Sequence, residues 1–402
     1  MKLKNFIEKG RSPYNTNKTR VRKSYYTFSR EYPAGNIPFE RRRNMRFQSD
    51  FSKKSLTALL VLLLLGTSFF VVRLSLDISH KAPDTDTTEI ITEDTQEIPE
   101  SLLATEGFRA LYMPYEKLND TSYIRDLIKK VRRYDCNSVI IDFKTESGKL
   151  AYSSLNTYAI KGKCAIFDNN TVREALNLFR KENISVAARI FCFLDNTVPQ
   201  TSPELAVKYM DTDVNWIDTA ADGKTWLNPC SPETLNYLLD IISELQAFGI
   251  KGFILENCHF PDSQNTGGAS FPGEKNFKNK NTVLRAYIKK IKEKLTADSF
   301  LIITQSANDA LNGNKRIYYG SISNAEFDGI AAYTSQRPEN CILDKKTDFA
   351  DMMGLFSSIS QNYVERTFMP IIDLEEHSGK YMRTIRKNGY TSYIIIDAEG
   401  EY

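Results

Sequence analysis

The chain has 402 residues, and a hydrophobic content of 41% is enough to build a folded core, which excludes a wholly disordered protein. Its formal net charge of +3 conceals a division, because residues 1–54 hold 15 Lys and Arg against 4 Asp and Glu, a balance of +11 that leaves −8 for the rest. None of the six cysteines has C-x-x-C spacing, so no zinc site is indicated, and whether any of them form disulfides stays open.

The basic leader, residues 1–54, mixes Pro, Gly, Asn and aromatic residues among its charges and shows no helical or strand period. We expect it to be disordered and cytoplasmic. Its charge could hold it on anionic lipid, at about 1 kcal/mol per basic residue near the surface, or it could serve only to set membrane orientation. No nucleic-acid-binding motif accompanies the charge, so no nucleic-acid partner is expected.

Residues 55–76 are predicted to form a single transmembrane helix. The uncharged run Leu56–Val72 has 17 residues, and with Leu74 and Leu76 it is just long enough to cross a hydrocarbon core of about 30 Å. A buried helix of a soluble protein would show a polar stripe, which this run lacks. A cleaved signal peptide is the minor alternative, because such peptides have a short leader. The basic residues before the run place the N-terminus in the cytoplasm and the C-terminal part outside the cell membrane.

An acidic, Thr-rich stalk is predicted for residues 77–106, followed by a folded domain over residues 107–402. In that domain short β-branched runs alternate with amphipathic helical stretches, a pattern typical of parallel α/β architecture. Eight runs can be counted: RALYMPY (109–115), SVIIDFK (138–144), ISVAARIFCF (184–193), GFILENCHF (252–260), SFLIITQSA (299–307), FDGIAAYT (327–334), TFMPIIDL (367–374) and SYIIIDA (392–398).

Eight parallel strands with helices between them most simply close as a (βα)8 barrel of the TIM type. A doubly wound open sheet is the alternative, but it would commonly carry a Gly-rich phosphate turn after its first strand, and YMPYEKLND has none. The sequence stops at Tyr402, directly after the eighth run, so the closing eighth helix is expected to be absent.

Carboxylates recur where these strands end, which is where barrel enzymes place their working residues. Asp142, Glu256 and Asp397 directly follow the apolar triplets VII, FIL and III, and Asp373 follows the seventh strand. Glycoside hydrolysis needs such carboxylates, since one acid protonates the leaving oxygen and a second attacks C1 or activates water. These four residues are therefore the predicted catalytic groups.

Other polar and aromatic residues near the strand ends are predicted to bind substrate, namely Lys144, Arg189, Asp195, Trp226, His259 and Tyr333. Aromatic rings that could stack on sugars include Trp216, Tyr152 and Phe260, although loop packing is an equal alternative for the tryptophans. A metal-dependent enzyme built on Cys258, His259 and His377 is a minor third class. No metal and no cofactor is expected.

Several motifs resemble one known family. VIIDFKTESGKLAYSS, ARIFCFLD, WLNP and GIKGFILENCHFP occur in the order seen in an uncharacterised bacterial family of glycoside-hydrolase-like barrels, a domain of unknown function similar to the α-amylase clan. The resemblance covers residues 107 to about 400. It is carried by Asp142, Lys144, Gly148, Tyr152, Ala188, Arg189, Asp195, Trp226, Asn228 and Pro229.

The chain is a divergent member by this resemblance. Where the family's fourth strand ends in Asp-Tyr-Ile-Arg-Phe-Pro, this sequence has Glu256-Asn257-Cys258-His259-Phe260-Pro261, which lengthens the carboxylate and removes the arginine. Two alternatives follow: a site retuned for another glycan, with Glu256 as nucleophile or stabiliser, or an inactive barrel that binds polysaccharide or a cell-envelope protein. The favoured prediction is a membrane-anchored, extracellular glycoside-hydrolase-like protein acting on cell-wall carbohydrate or exopolysaccharide.

Overall fold

The structure, a computed structural model, describes residues 100–334, 349–373 and 379–396, without the side chains of 349–351, 373, 379–381 and 384. Eight parallel strands close into one barrel, each strand pairing with its neighbours in chain order and the eighth pairing with the first. The strands are β1 Arg109–Met113, β2 Ser138–Lys144, β3 Ser185–Phe191, β4 Gly252–Glu256, β5 Phe300–Ser306, β6 Gly329–Tyr333, β7 Thr367–Asp373 and β8 Tyr393–Ile396. This confirms the predicted TIM-type barrel.

Ten α-helices lie in the part of the chain that the structure describes. They are α1 Leu102–Thr105, α2 Thr121–Arg133, α3 Thr157–Lys161, α4 Asn169–Lys181, α5 Val198–Thr201, α6 Pro232–Ala247, α7 Lys280–Lys294, α8 Ala307–Asn312, α9 Phe349–Asn362 and α10 Gly379–Lys387. Three of the main outer helices begin at a capping side chain, because Asp120, Asp168 and Ser231 each accept a hydrogen bond from a backbone N–H of the first turn.

The barrel interior is filled by side chains that alternate along the strands with those facing the helices. Its lower layers are apolar and include Ala110, Ile140, Ala187, Ile254 and Ile302. The N-terminal end is closed by residues just before β1, where the Phe108 ring packs edge-on against Phe300 with ring centroids 5.2 Å apart. The lower part of the interior is therefore a packed core.

The long connection from β3 to α6 forms the roof over that open end. Within it, Ile217–Asp218 pairs with Lys224–Thr225 as a small antiparallel hairpin. Lys208–Tyr209 pairs with Ala269–Ser270 from the connection that follows β4. Two insertions thus join above the barrel, on the side of β3 and β4.

Several predictions lie outside the described residues: the leader, the transmembrane helix at 55–76, most of the stalk, and the segment after β8 that bears on the closing helix. Among the residues that are described, no helix combines the length and apolarity needed to cross a membrane. Five cysteines, Cys136, Cys164, Cys192, Cys230 and Cys258, are free thiols.

Candidate active site at the C-terminal mouth of the barrel

One layer of polar side chains closes the top of the barrel core. Tyr112, Asp142, Arg189, Glu256 and Tyr333 each stand two residues beyond an inward-facing apolar residue of the same strand. Since side chains alternate with a period of two, these five must also point inward, one layer higher. The apolar runs therefore bring together polar groups that are far apart in the sequence.

Arg189 and Asp142 form the centre of this layer. The guanidinium binds the carboxylate with both ends, with Nε 2.5 Å from Oδ1 and Nη2 2.9 Å from Oδ2. Tyr112 donates a further hydrogen bond to Oδ2 over 2.9 Å, and the Arg189 guanidinium lies 4.9 Å from the centroid of the Tyr112 ring. Both oxygens of Asp142 are engaged, so this carboxylate holds Arg189 in place.

Glu256 is more accessible than Asp142 and is held more loosely. Its side chain retains 13% exposure and its Oε2 accepts a hydrogen bond from the Tyr333 hydroxyl over 2.7 Å. Arg189 Nη1 lies 3.9 Å from the same oxygen and donates to the Tyr333 hydroxyl over 3.2 Å. Asn257, in the left-handed region at φ 48°, turns the chain away directly afterwards. Glu256 is thus presented at the floor of the opening beside a fixed cation.

Lys144 and Asp195 lie outside this opening. A β-bulge between Asp142 and Lys144 shifts the register of β2 against β3, which re-aims the lysine. Lys144 Nζ lies 2.9 Å from Asp195 Oδ2 and donates to the Phe191 carbonyl over 2.8 Å, and neither charged side chain has any exposure. This geometry does not favour the predicted role of Lys144 and Asp195 in substrate binding. The pair instead joins β2 to the loop after β3.

His259 and Trp226 border the opening with their rings against each other, centroids 5.7 Å apart. Burial is the main cause that lowers the pKa of His259 below its ordinary value, against smaller opposing effects of the hydrogen bond to the Phe260 carbonyl and of the charges of Asp309, Glu256 and Asp262. His259 Nδ1 lies 2.8 Å from the Phe260 carbonyl, which can only accept, so Nδ1 carries the proton. Nε2 then accepts from the Asn257 side-chain amide, whose Nδ2 lies 3.4 Å away.

The other aromatic residues suggested for sugar stacking are buried. Trp216, Tyr152 and Phe260 have no exposure, and Trp226 retains only 3%. Trp216 donates to the Asn265 carbonyl and Trp226 donates to Asp218 Oδ2 over 2.8 Å, so both indole N–H groups are used within the roof. Loop packing, the alternative considered for the tryptophans, is what the structure shows, and no open aromatic platform includes them.

A cavity of about 850 Å³ opens above the polar layer. It brings together six of the predicted residues, listed as Asp142, Arg189, Trp226, Glu256, His259 and Tyr333. Asp373 ends β7 with its side chain undescribed, and Asp397 lies outside the described residues.

The cavity also has acidic lining residues that sequence reasoning missed, namely Glu116, Glu146, Asp218, Asp262 and Asp309. Asp309 sits in the first turn of α8, whose N-cap Ser306 ends β5. The pattern of a strand, a capping serine and an acid three residues later could have pointed to it.

The fold and this mouth define a class, a parallel α/β barrel with an acidic cavity at the C-terminal ends of its strands. Residues 110–309 match the model of the family described as "Putative glycosyl hydrolase domain". The region includes β1 to β5 and therefore Asp142, Arg189 and Glu256. No curated protein sequence matches the chain.

Solved structures with a similar fold include three that differ in coverage. A hypothetical protein from Ruminiclostridium thermocellum is 24% identical, with 48% of this chain and 96% of that chain covered and a TM-score of 0.43. The glycoside hydrolase domain of PelA from Pseudomonas aeruginosa is 9% identical, with 72% and 94% covered and a TM-score of 0.42. An exo-β-N-acetylglucosaminidase from Vibrio harveyi is 8% identical with a TM-score of 0.46; 72% of this chain is covered, but only 50% of the enzyme's length.

Proposed function

We propose that this protein is a glycoside hydrolase that acts on cell-wall or other cell-surface carbohydrate. In this proposal it is anchored by one transmembrane helix and its barrel is extracellular. The observation that carries the proposal is the placement of Glu256, a partly exposed carboxylate at the end of β4 on the floor of a large cavity. The family match over β1 to β5 supports the same class of reaction.

Glu256 has the surroundings that a nucleophile or general base needs. The Tyr333 hydroxyl fixes one oxygen, and the Arg189 guanidinium lies 3.9 Å from the same oxygen. We assign Asp142 the positioning of Arg189, since both its oxygens are already bound. The proton donor is proposed to come from β7 or β8, where Asp373 and Asp397 stand in the sequence.

A barrel that binds carbohydrate without cleaving it is the second candidate. One observation favours it: the strongest contacts of the polar layer bind protein groups to one another, as in the bidentate Arg189–Asp142 pair. Burial of Trp216 and Trp226 opposes a platform of stacked rings, so binding of this kind would depend on polar contacts within the cavity.

The two candidates differ in what Glu256→Gln does. The full-length protein in mild detergent is assayed for binding to a panel of cell-wall and exopolysaccharide glycans and for release of reducing ends. If Glu256 is nucleophile or base, the substitution lowers turnover by about 1,000-fold or more while binding is retained, since the amide can neither attack nor accept a proton.

Glu174→Gln is the matched control, because Glu174 is an exposed carboxylate on α4, away from the cavity. It should leave binding and turnover unchanged. Equal turnover in the wild type and Glu256→Gln would contradict the assigned role, and binding without turnover in every protein would favour the second candidate. No binding to any glycan would overturn both.

A further inference from the structure

The cavity carries an excess of negative charge among its described lining residues. Seven carboxylates line it and Arg189 is the one cationic side chain among those lining residues. Arg189 neutralises Asp142, while Lys224 and Arg316, which approach from outside the lining, pair with Glu146 over 2.5 Å and with Asp262 over 2.6 Å. Seven carboxylates less three cations leave four unbalanced charges, on Glu116, Asp218, Glu256 and Asp309.

Asp309 is the carboxylate that most clearly lacks a partner. Its side chain lines the cavity with 8% exposure, and among the described residues neither a hydrogen-bond donor nor a cation contacts its carboxylate. Burying an uncompensated charge is costly. The neighbouring His259 supplies no donor to it, because its Nδ1 donates to the Phe260 carbonyl and its Nε2 lies 3.4 Å from the Asn257 amide nitrogen. We therefore expect the ligand to supply the cation or hydrogen-bond donor that pairs with the Asp309 carboxylate.

By composition, the segments that follow β6, β7 and β8 are also acidic. By sequence, residues 335–348, 374–378 and 397–402 add three Lys or Arg against eight Asp or Glu. Within the described part of the chain, no three Asp, Glu, His or Cys side chains are placed to hold a metal ion. An organic cation with several N–H donors would complement the acidic lining of the cavity.

On the basis of the proposed carbohydrate function, we propose that the ligand is an amino sugar polymer whose amines are free rather than acetylated. An ammonium group on the sugar would donate to Asp309 and offset the charge that remains near Glu256. Uronic acids and phosphorylated glycans would be repelled by the same carboxylates.

The test compares three oligosaccharides of equal length with the full-length protein in detergent. They are a β-1,4-linked glucosamine hexamer, its fully N-acetylated form, and a galacturonic acid hexamer. At pH 6 we expect the free amine form to bind about tenfold more tightly or better, since a charge-assisted hydrogen bond distinguishes it. The preference should shrink as salt is raised.

Asp309→Asn is the diagnostic variant, because it removes the charge and keeps the shape. The preference for the free amine should fall below about threefold, whereas Glu174→Gln should keep it. The melting temperature of Asp309→Asn should be unchanged or higher, because the carboxylate has no partner to lose; a residue with only a structural role would lower it. Lower stability together with an unchanged preference would overturn the assignment.

The outcomes separate this inference from the function on which it rests. Equal binding of the amine and acetylated forms, or tighter binding of the acetylated or acidic hexamer, overturns the inference. If a glycan of the wider panel that lacks amines binds while the glucosamine hexamer does not, the inference falls and the proposed function stands. If no glycan binds at all, both fall.

Discussion

Among the described residues, Arg189 contacts two carboxylates, and the two contacts differ in kind. Asp142 takes both ends of the guanidinium fork and is fixed by it, whereas Glu256 stays 3.9 Å from Nη1 and is bound instead through the Tyr333 hydroxyl. A lysine could not reproduce the fork, because its ammonium has no planar pair of donors. Arg189 thus holds Asp142 rigidly on the cavity floor and leaves Glu256 freer to adjust.

His259 predicts a pH dependence of stability. Its pKa in the folded protein lies below the ordinary value because of burial. Above about pH 6.5 the ring is neutral in both states and adds no slope. As the pH falls below that value, the unfolded chain takes up a proton that the folded chain resists, so stability is lost until the lowered pKa is passed. His259→Gln should therefore lose less stability than the wild type between pH 7 and pH 5.

Thermal unfolding of both proteins at several pH values measures this difference. Glu174→Gln should retain the slope of the wild type, because its exposed carboxylate is far from the ring. Parallel curves for the wild type and His259→Gln would contradict a neutral, buried histidine.

The positions of Asp142 and Glu256 could be predicted, since an apolar triplet followed by an acid indicates the C-terminal end of a buried strand. The orientation of the Lys144 side chain could not be predicted. A bulge adds one residue to β2, and the alternation of apolar residues in the sequence does not reveal it. Trp226 looked like a ligand contact because sequence shows that a ring is present but not that Asp218 binds its N–H. Asp309 escaped notice because α8 is only six residues long.

At the scale of the element, the β2–α3 loop depends on one glycine. Gly148 has φ 81°, and a Cβ on it would overlap the carboxylate of Asp195. That carboxylate also accepts from the N–H groups of Thr197 and Val198, each over 2.9 Å, besides pairing with Lys144. Two loops at the mouth are therefore packed together around one buried ion pair.

Gly148→Ala is expected to destabilise the protein by at least about 3 kcal/mol. The backbone conformation alone costs about 1 kcal/mol for alanine, and displacing Asp195 leaves Lys144 buried without its partner. Denaturant unfolding, with the midpoint and slope measured together, gives the free energy of unfolding. Two-state behaviour is required for that comparison.

Gly389→Ala separates the two causes. Gly389 has φ 88°, but no atom lies within 4 Å of a Cβ built there, so only the backbone cost remains. Equal losses for Gly148→Ala and Gly389→Ala would show that the contact with Asp195 carries no energy.

At the scale of the whole molecule, the eight strands could be counted in advance because each is short, β-branched and separated by a helix of amphipathic period. The predicted starts agree with the observed ones within two residues, but several predicted strands extend beyond the observed end, as at β4, which ends at Glu256. There the apolar pattern continues into a buried loop with Cys258 and Phe260, and periodicity does not distinguish a buried loop from a strand.

The proposed membrane topology is testable with the full-length protein in intact cells. The basic residues before Leu56 favour a cytoplasmic N-terminus, so a protease added outside should degrade the barrel while a tag at residue 1 stays protected. Replacing Arg41, Arg42, Arg43, Arg46, Lys53 and Lys54 by serine removes that asymmetry and should expose the tag in a large fraction of the molecules. A barrel that resists the protease until the cells are lysed would contradict the orientation, and with it the access to cell-surface glycans on which the proposed activity depends.

Deleting residues 55–76 should release the barrel from the membrane fraction, and retention there would contradict anchoring by this segment.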